Sequence, residues 1–415
     1  MVIKKYTTTY VKHFFFIALA TFLPSKSNDF RLGLENIPDS FIQKSKNARI
    51  GLITNQTGKD QQGHRNLDIL LKRGINITAI LAPEHGFNGT ILAEIDVPDN
   101  YDKETEIPIL SLYEHKTGKK ISEKIINNLD ILIFDIQDSG MRHYTYISTL
   151  FMALDTAAQF NKQFIVLDRP NPLGGLMEGP LVDVTCQSFV SIAPIPLRHA
   201  LTVGELAWFF NKHLLKKEAK LHVIRMKNYK RTMNLHYLPF NALSPNIATI
   251  QSCYGYSFLG LLGEITPFEI GTSSDKAFQL ILLPESIQLP KKKWNELHTL
   301  LQKHGIESNS YKTFIAAKKQ MYTGLHIAIT DINKLSSFTT FMDILRFSKK
   351  TKLNLTFSNL FDKAVGTKKV RTYYQGITKR KNLITSINTD LNDFLEKARS
   401  SLMYEPIPKP VMLSY

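Results

Sequence analysis

The sequence predicts an α/β protein in which a Rossmann-like, doubly wound parallel sheet domain is followed by a smaller α+β domain. Three observations carry this. Between residues 48 and 225 short apolar runs alternate with stretches of helical periodicity, the pattern of parallel strands joined by crossover helices. Around 244–263 that alternation gives way to Pro, Gly, Ser and Tyr, which reads as a domain junction. A chain of 415 residues is also longer than one ordinary core accommodates. The expected division is 1–25 as a signal peptide, 26–252 as the Rossmann-like domain and 253–415 as the α+β domain.

The leader comes first. Lys4, Lys5 and Lys12 precede an apolar run, 14–23, closed by Pro24, Ser25 and Lys26, the layout of a secretory signal. The run is about half the length that spans a bilayer. Export to the periplasm or cell envelope is expected, with no stable membrane insertion after cleavage. No cysteine follows the run, so lipid anchoring is not indicated.

The strands expected next are 48–54, 75–82, 108–112, 129–136, 163–167 and 221–224. Between them, Leu67, Leu70 and Leu71 share a helical face ahead of Gly74, a C-cap residue, and Ile121, Ile125 and Ile126 do likewise. Ile147, Leu150, Phe151, Leu154 and Ala158 keep helical spacing across four turns. Thr202 and Glu205 have the spacing of a capping box before Leu206, Phe209 and Phe210, so Glu205 is assigned to capping. Beyond the junction the sequence predicts a strand over 278–283, a helix carrying Trp294, Leu297, Leu300 and Leu301, and a strand over 323–330. Helices near 338–347 and 389–403 follow, then a Pro-rich extended tail from 405.

Composition narrows the chemistry. The formal net charge is +16, and much of the excess lies in C-terminal clusters such as Lys291, Lys292 and Lys293. Such clusters suit an anionic partner or a solvated basic surface. Nucleic-acid signatures such as paired Cys/His fingers are missing, so no nucleic-acid partner is expected. Cys186 and Cys253 are the only cysteines, too few for a cysteine zinc cluster, and their pairing is left open.

In open α/β sheets ligands bind beyond the carboxyl ends of the strands. Here those positions carry Thr54-Asn55-Gln56-Thr57-Gly58, then Ala82-Pro83-Glu84-His85-Gly86, then Asp135-Ile136-Gln137-Asp138 with Arg142, His143, Tyr144 and Tyr146, and finally Asp168-Arg169-Pro170-Asn171 with Glu178. Each has a structural alternative. Strand-end aspartates such as Asp135 and Asp168 often cap turns or helices. Asn171 between two prolines can serve a tight turn, His143 has a surface reading, and Tyr144 and Tyr146 have a core-packing one. Glu84 is the favoured functional carboxyl, because partial desolvation at a strand exit raises a carboxyl pKa as a general acid requires. There is no G-x-G-x-x-G, P-loop, G-x-S-x-G or H-E-x-x-H. A metal held by Asp135, Asp138 and His85 is the remaining cofactor alternative; the expectation is no cofactor. Several carboxylates on one rim suit acid–base hydrolysis of a sugar acetal.

These loops resemble the exo-acting β-N-acetylmuramidase (NamZ-like) family. The segments that carry the resemblance are G-L-I-T-N-Q-T-G at 51–58, A-P-E-H-G-F-N-G at 82–89, F-D-I-Q-D-S-G-M-R-H-Y-T-Y-I at 134–147 and L-D-R-P-N-P-L-G-G at 167–175. E-G-P at 178–180, P-I-P-L-R-H-A-L-T-V-G-E-L-A at 194–207 and S-P-N-I at 244–247 continue it. The resemblance implies a catalytic Rossmann-like domain with a smaller α+β partner. It also implies release of N-acetylmuramic acid (MurNAc) from the non-reducing end of peptidoglycan-derived saccharides; a non-catalytic binder of such saccharides is the alternative. By position Glu84 is the acid/base candidate, with Asp168 and Glu178 as candidates for the second carboxylate and Asp135 and Asp138 behind them. Substrate contacts are expected from Asn55, His85, Asp135, Gln137, Asp138, Arg142, Tyr144, Arg169, Asn171, Arg198, His199 and Glu264. At least one of Arg142, Arg169 and Arg198 is expected to hold the lactyl carboxylate of MurNAc through a bidentate fork. Where the family commonly carries an E-G-T…S-E-G-R-G-T-type stretch, this sequence has G-E-I-T-P-F-E-I-G-T-S-S-D-K at 263–276. It keeps Glu264 and Glu269 and lacks the arginine, a change that bears on substrate preference.

Overall fold

The computed structural model describes residues 29–92, 95–112, 121–233, 240–272 and 274–413, and the basic leader lies outside them. Seven strands form the N-terminal sheet: β1 (Ile50–Thr54), β2 (Ile77–Ala82), β3 (Asn100–Tyr101), β4 (Pro108–Ser111), β5 (Ile131–Asp135), β6 (Gln163–Leu167) and β7 (Lys220–Ile224). Their spatial order is β3-β4-β2-β1-β5-β6-β7. Every neighbouring pair is parallel except β3 with β4. β1 and β5 are buried along their whole length, which explains why they read as unbroken apolar runs. The chain winds outward from β1 to one edge, returns to β5 and winds to the other, so the topological switch lies between the ends of β1 and β5.

The local signals act as their chemistry dictates. Gly74 adopts φ 80° just past the helix Asn66–Lys72, a conformation that costs a glycine nothing. Thr202 accepts a hydrogen bond from the Glu205 N–H while the Glu205 side chain accepts from the Thr202 N–H, opening the helix Val203–His213. Such a cap stabilises by about 1 kcal/mol.

The stretch read as a domain junction also holds a regular element. It contains the helix Ile250–Leu262, capped by Thr249 and buried on most sides, and the boundary expected between 252 and 253 falls inside it. Its glycines misled the reading because they serve packing. A Cβ at Gly255 would lie 1.8 Å from the Phe278 carbonyl oxygen, and one at Gly260 would lie 2.8 Å from His143 Nε2. Small residues there let the helix approach its neighbours.

The C-terminal part is α+β. β8 (Ile265–Thr266) pairs with β12 (Thr356–Phe357), and β9 (Leu280–Pro284), β10 (Ile306–Ile315) and β11 (Gln320–Ile329) form an antiparallel sheet in the order β10-β11-β9. β10 was not anticipated, since much of it is exposed and polar and carries no apolar run. One continuous apolar core joins Ile53 and Phe134 of the large sheet to Phe258, Phe341 and Leu391 beyond it. Cys186 and Cys253 are buried and free. Among the described residues no helix is long and apolar enough to cross a membrane.

Candidate functional site

The loops leaving β1, β2, β5 and β6 do assemble at one rim, but most of their charges face one another. Asp135, at the end of β5, is fully buried; its two oxygens accept from Arg169 Nε (2.6 Å) and Nη2 (3.0 Å), and Oδ2 also accepts from Asn66 (2.7 Å). The remaining Arg169 Nη1 donates to the Lys59 carbonyl. Asp168 is equally buried, accepting from the N–H groups of Arg169 and Gly204 and from the hydroxyls of Thr202 (2.8 Å) and Tyr404 (2.6 Å). Burial pushes its pKa up to about 6 against those donors. It anchors the start of the helix Val203–His213.

Glu178 accepts from Arg198 (3.0 Å) and from the N–H groups of Ser337 (2.6 Å) and Phe338 (3.1 Å). It therefore caps the helix Ser337–Lys350 from across the molecule, where a carboxylate complements the helix dipole. Arg198 also donates to the carbonyls of Leu335 and Leu173. Arg142 donates to the carbonyls of Pro180, Ile195, Ala364 and Val365 and to Ser191, and burial pushes its pKa down to about 9. These contacts spend most of the expected groups internally: Asp168 and Glu178 hold helix starts, and Arg142, Arg169 and Arg198 give most of their donors to Asp135, Glu178 and backbone carbonyls, with Arg198 Nε left without a partner. Asp135 and Asn171 are likewise internal; Asn171 closes a turn on Leu173 and holds the Leu201 carbonyl.

The other expected residues are mostly buried as well, with Gln137 half-buried. Glu84 leaves β2 and is 7% exposed; its Oε2 accepts from Thr145 at 2.5 Å. His85 is held at φ 71° and its Nδ1 lies 2.7 Å from the Ile91 carbonyl, which sets the turn that presents Glu84. Asn55 accepts twice from Thr57 and leaves its buried Nδ2 without a partner. Gln137 bridges the carbonyls of Asp138 and Pro170. Asp138 Oδ2 accepts from Gly140 (2.7 Å) and faces His199 Nε2 (3.3 Å), while Oδ1 is buried and unpaired. His199 Nδ1 accepts from the Leu201 N–H, so the proton on Nε2 points at Asp138. The hydroxyls of Tyr144 and Tyr146 both donate to the Leu243 carbonyl, at 2.8 and 3.0 Å, the core-packing alternative for the two rings.

The crevice at the β1–β5 switch, lined by Thr57, Gln137, Arg169 and Pro170, encloses only about 60 Å³. A roomier hollow of about 400 Å³ opens where the 142–144 segment meets the C-terminal domain, lined by His143, Tyr256, Glu264, Glu269, Thr272 and Lys318 among others. His143, which had a surface reading, is buried and stacks on Tyr256 with centroids 4.6 Å apart. Both its ring nitrogens lack partners, and burial together with the Arg142 charge pushes its pKa down to about 3, so it is neutral. Glu269 Oε1 accepts from the N–H groups of Ile270 and Gly271, both at 3.0 Å, and Oε2 meets Lys318. Glu264 accepts from Ser358.

Glu84 is linked to this hollow through Thr145, which bonds it, and the adjacent Tyr144, whose ring meets Tyr256. Burial, then the charges of Asp138 and Glu84, then Cys253 and Glu264, push the Tyr256 hydroxyl well above its ordinary pKa. Tyr144 links the rings, lying 5.8 Å from Tyr256 and 4.7 Å from Tyr146. Sequence reasoning passed over Glu269 as a site residue although it had noted the segment; the available signal was a glutamate two positions before Gly271, whose φ of 82° turns its own N–H toward the carboxylate. Lys318 gave no sequence signal. Among the described residues no three His, Cys, Asp or Glu side chains are grouped to hold a metal ion.

Residues 50–251 match the model of the N-terminal part of the exo-β-N-acetylmuramidase NamZ, and residues 254–404 match the model of its C-terminal part. The chain is 35% identical over 390 residues to the peptidoglycan β-N-acetylmuramidase NamZ of Bacillus subtilis, covering 92% of each. Two crystal structures of DUF1343 family proteins from Bacteroides fragilis share its fold. One is 30% identical with a TM-score of 0.80, the other 28% identical with a TM-score of 0.70, and each is covered to 99% by 91% of this chain.

Proposed function

Because the chain belongs to the exo-β-N-acetylmuramidase NamZ family, we propose that it is a glycoside hydrolase that releases MurNAc from the non-reducing end of peptidoglycan-derived saccharides. The observation that supports this reading is a hollow lined by Glu264 and Glu269 of the C-terminal domain, to which Glu84 at the β2 exit is linked through Thr145, Tyr144 and Tyr256.

In this reading Glu84 is the general acid. Its proton passes to the glycosidic oxygen as the bond from that oxygen to the anomeric carbon breaks. Glu269 is the second carboxylate, acting on water or on the anomeric carbon, and water supplies the hydroxyl of the released sugar. Two backbone N–H groups and an ammonium hold Glu269 in one orientation, as such a role requires. The leader at 1–25 supports export, and the family's substrate supports a site of action in the periplasm or cell envelope.

The test is a chromogenic β-MurNAc glycoside beside its GlcNAc equivalent. The wild-type protein is expected to turn over the first, and Glu84→Gln to lower kcat by about 10²–10⁴, the usual share of general acid catalysis. Wild-type protein that bound the MurNAc saccharide without cleaving it would overturn the hydrolase in favour of a sugar-binding protein.

A further inference from the structure

MurNAc differs from GlcNAc by an ether-linked lactyl group that is anionic at neutral pH, so a site that prefers MurNAc needs a cation or a set of donors where that carboxylate lies. None of the three arginines at the rim lines the hollow. Arg142 spends its guanidinium on four carbonyls and Ser191, Arg169 is locked to Asp135, and Arg198 is locked to Glu178. One cationic side chain does line the hollow. Lys318 sits in the turn of the β10–β11 hairpin, whose ten paired positions run from Ile306↔Ile329 to Ile315↔Gln320. Lys319 takes the left-handed conformation (φ 50°) that reverses the chain immediately after it. The ammonium reaches Glu269 and lies 5.4 Å from the centre of the Tyr322 ring, while 47% of the side chain stays exposed. It can therefore take a second anion without losing its first partner, and a lysine has three donors to share.

A second, independent observation points to a ligand in the same place. His143 is more than nine-tenths buried and lines the hollow, and neither of its ring nitrogens has a partner in the protein. A buried polar group left unpaired is costly unless something else completes it. A neutral imidazole can donate from one nitrogen and accept at the other.

We propose that Lys318 is the specificity residue of the site: it receives the lactyl carboxylate of MurNAc, with His143 hydrogen-bonding the same sugar. This rests on the hydrolase reading above, and the experiment separates the two. The preference for MurNAc over GlcNAc is measured twice, as the ratio of kcat/KM on the two chromogenic glycosides and as the ratio of Kd for the two free sugars by calorimetry. The proteins compared are wild type, Lys318→Met, which keeps an unbranched apolar stem, and Lys318→Arg.

The expected result is a fall of about 10- to 100-fold in both ratios for Lys318→Met, carried by KM, with at least partial recovery in Lys318→Arg; charge-assisted hydrogen bonds have this weight. An unchanged ratio in Lys318→Met overturns the inference. So does an equal loss on both glycosides through kcat, which would make Lys318 only a positioning group for Glu269. A lysine-dependent binding preference with no hydrolysis by the wild-type protein would sink the hydrolase reading and leave this assignment standing.

Discussion

Two clusters of charge lie within the same fold and behave in opposite ways. The frame beneath the rim (Asp135 with Arg169, Glu178 with Arg198, Asp168 with its four donors, Glu205 with Arg231) is buried and almost fully paired. The hollow beside it holds a histidine with two unpaired nitrogens and a lysine still half in solvent. Nearby, Asp138 keeps a buried oxygen without a partner. Charge density does not separate the two regions; access to open space does, since Glu269 is as fully hydrogen-bonded as the frame carboxylates but lines the hollow beside a half-exposed lysine. An ion pair with both partners buried, such as Asp135 with Arg169, serves position. An incomplete cluster costs stability by itself and marks where a ligand would complete it.

The sharpest way to break this contrast is at Glu269. Glu269→Gln is expected to lower kcat on the MurNAc glycoside by 10³-fold or more, about 4 kcal/mol in activation free energy, while the urea midpoint stays near wild type. If stability fell and turnover did not, Glu269 would belong to the frame.

The frame answers in the other currency. Arg198→Met leaves Glu178 charged and buried with one partner fewer, and should destabilise by about 3–5 kcal/mol in denaturant unfolding. Turnover per folded molecule should change far less.

Acidity separates the regions next. His143 has its folded pKa depressed to about 3 by burial and Arg142, so the stability it contributes is present above its unfolded value near 6.5 and is lost as pH falls below that. Asp168 has its folded pKa raised to about 6, so its contribution is present below about 4 and is lost as pH rises through 6. The two slopes oppose each other in the wild-type protein. His143→Phe should remove one of them, making the variant less acid-sensitive by about 2 kcal/mol between pH 6.5 and 5. Thermal unfolding across that range reads it. The smallest effect is expected from Tyr144→Phe, which loses one hydrogen bond to the Leu243 carbonyl, about 1 kcal/mol, in the Tm alone.

Much of this was legible beforehand. The apolar runs that became β1, β2, β5 and β6 were visible because parallel strands covered on both faces leave an unbroken hydrophobic signature, while β4 and β7 are only partly covered. The Thr202–Glu205 box and the Gly74 cap were visible because caps are local chemistry. The loops that carry Glu84, Asp138 and Arg169 were likewise recognisable as strand exits. The helix Ile250–Leu262 was obscured because its glycines answer to Phe278 and His143, residues distant in sequence. β10 was obscured because an exposed hairpin strand needs no apolar alternation along its length.

Sequence by itself therefore determined the order of the elements and the set of charged residues delivered to the rim, since periodicity and capping act over a few residues. Tertiary structure alone decided which of those charges are spent on one another and which face open space. It chose Asp168 and Glu178 as structural partners, turned Glu269 into a lining residue and brought Lys318 from a hairpin turn to its side. The physical reason is that hydrogen bonds and Coulomb forces between side chains depend on separations in space. Those are fixed only when Glu178 meets Ser337 and Glu269 meets Lys318 across dozens of intervening residues.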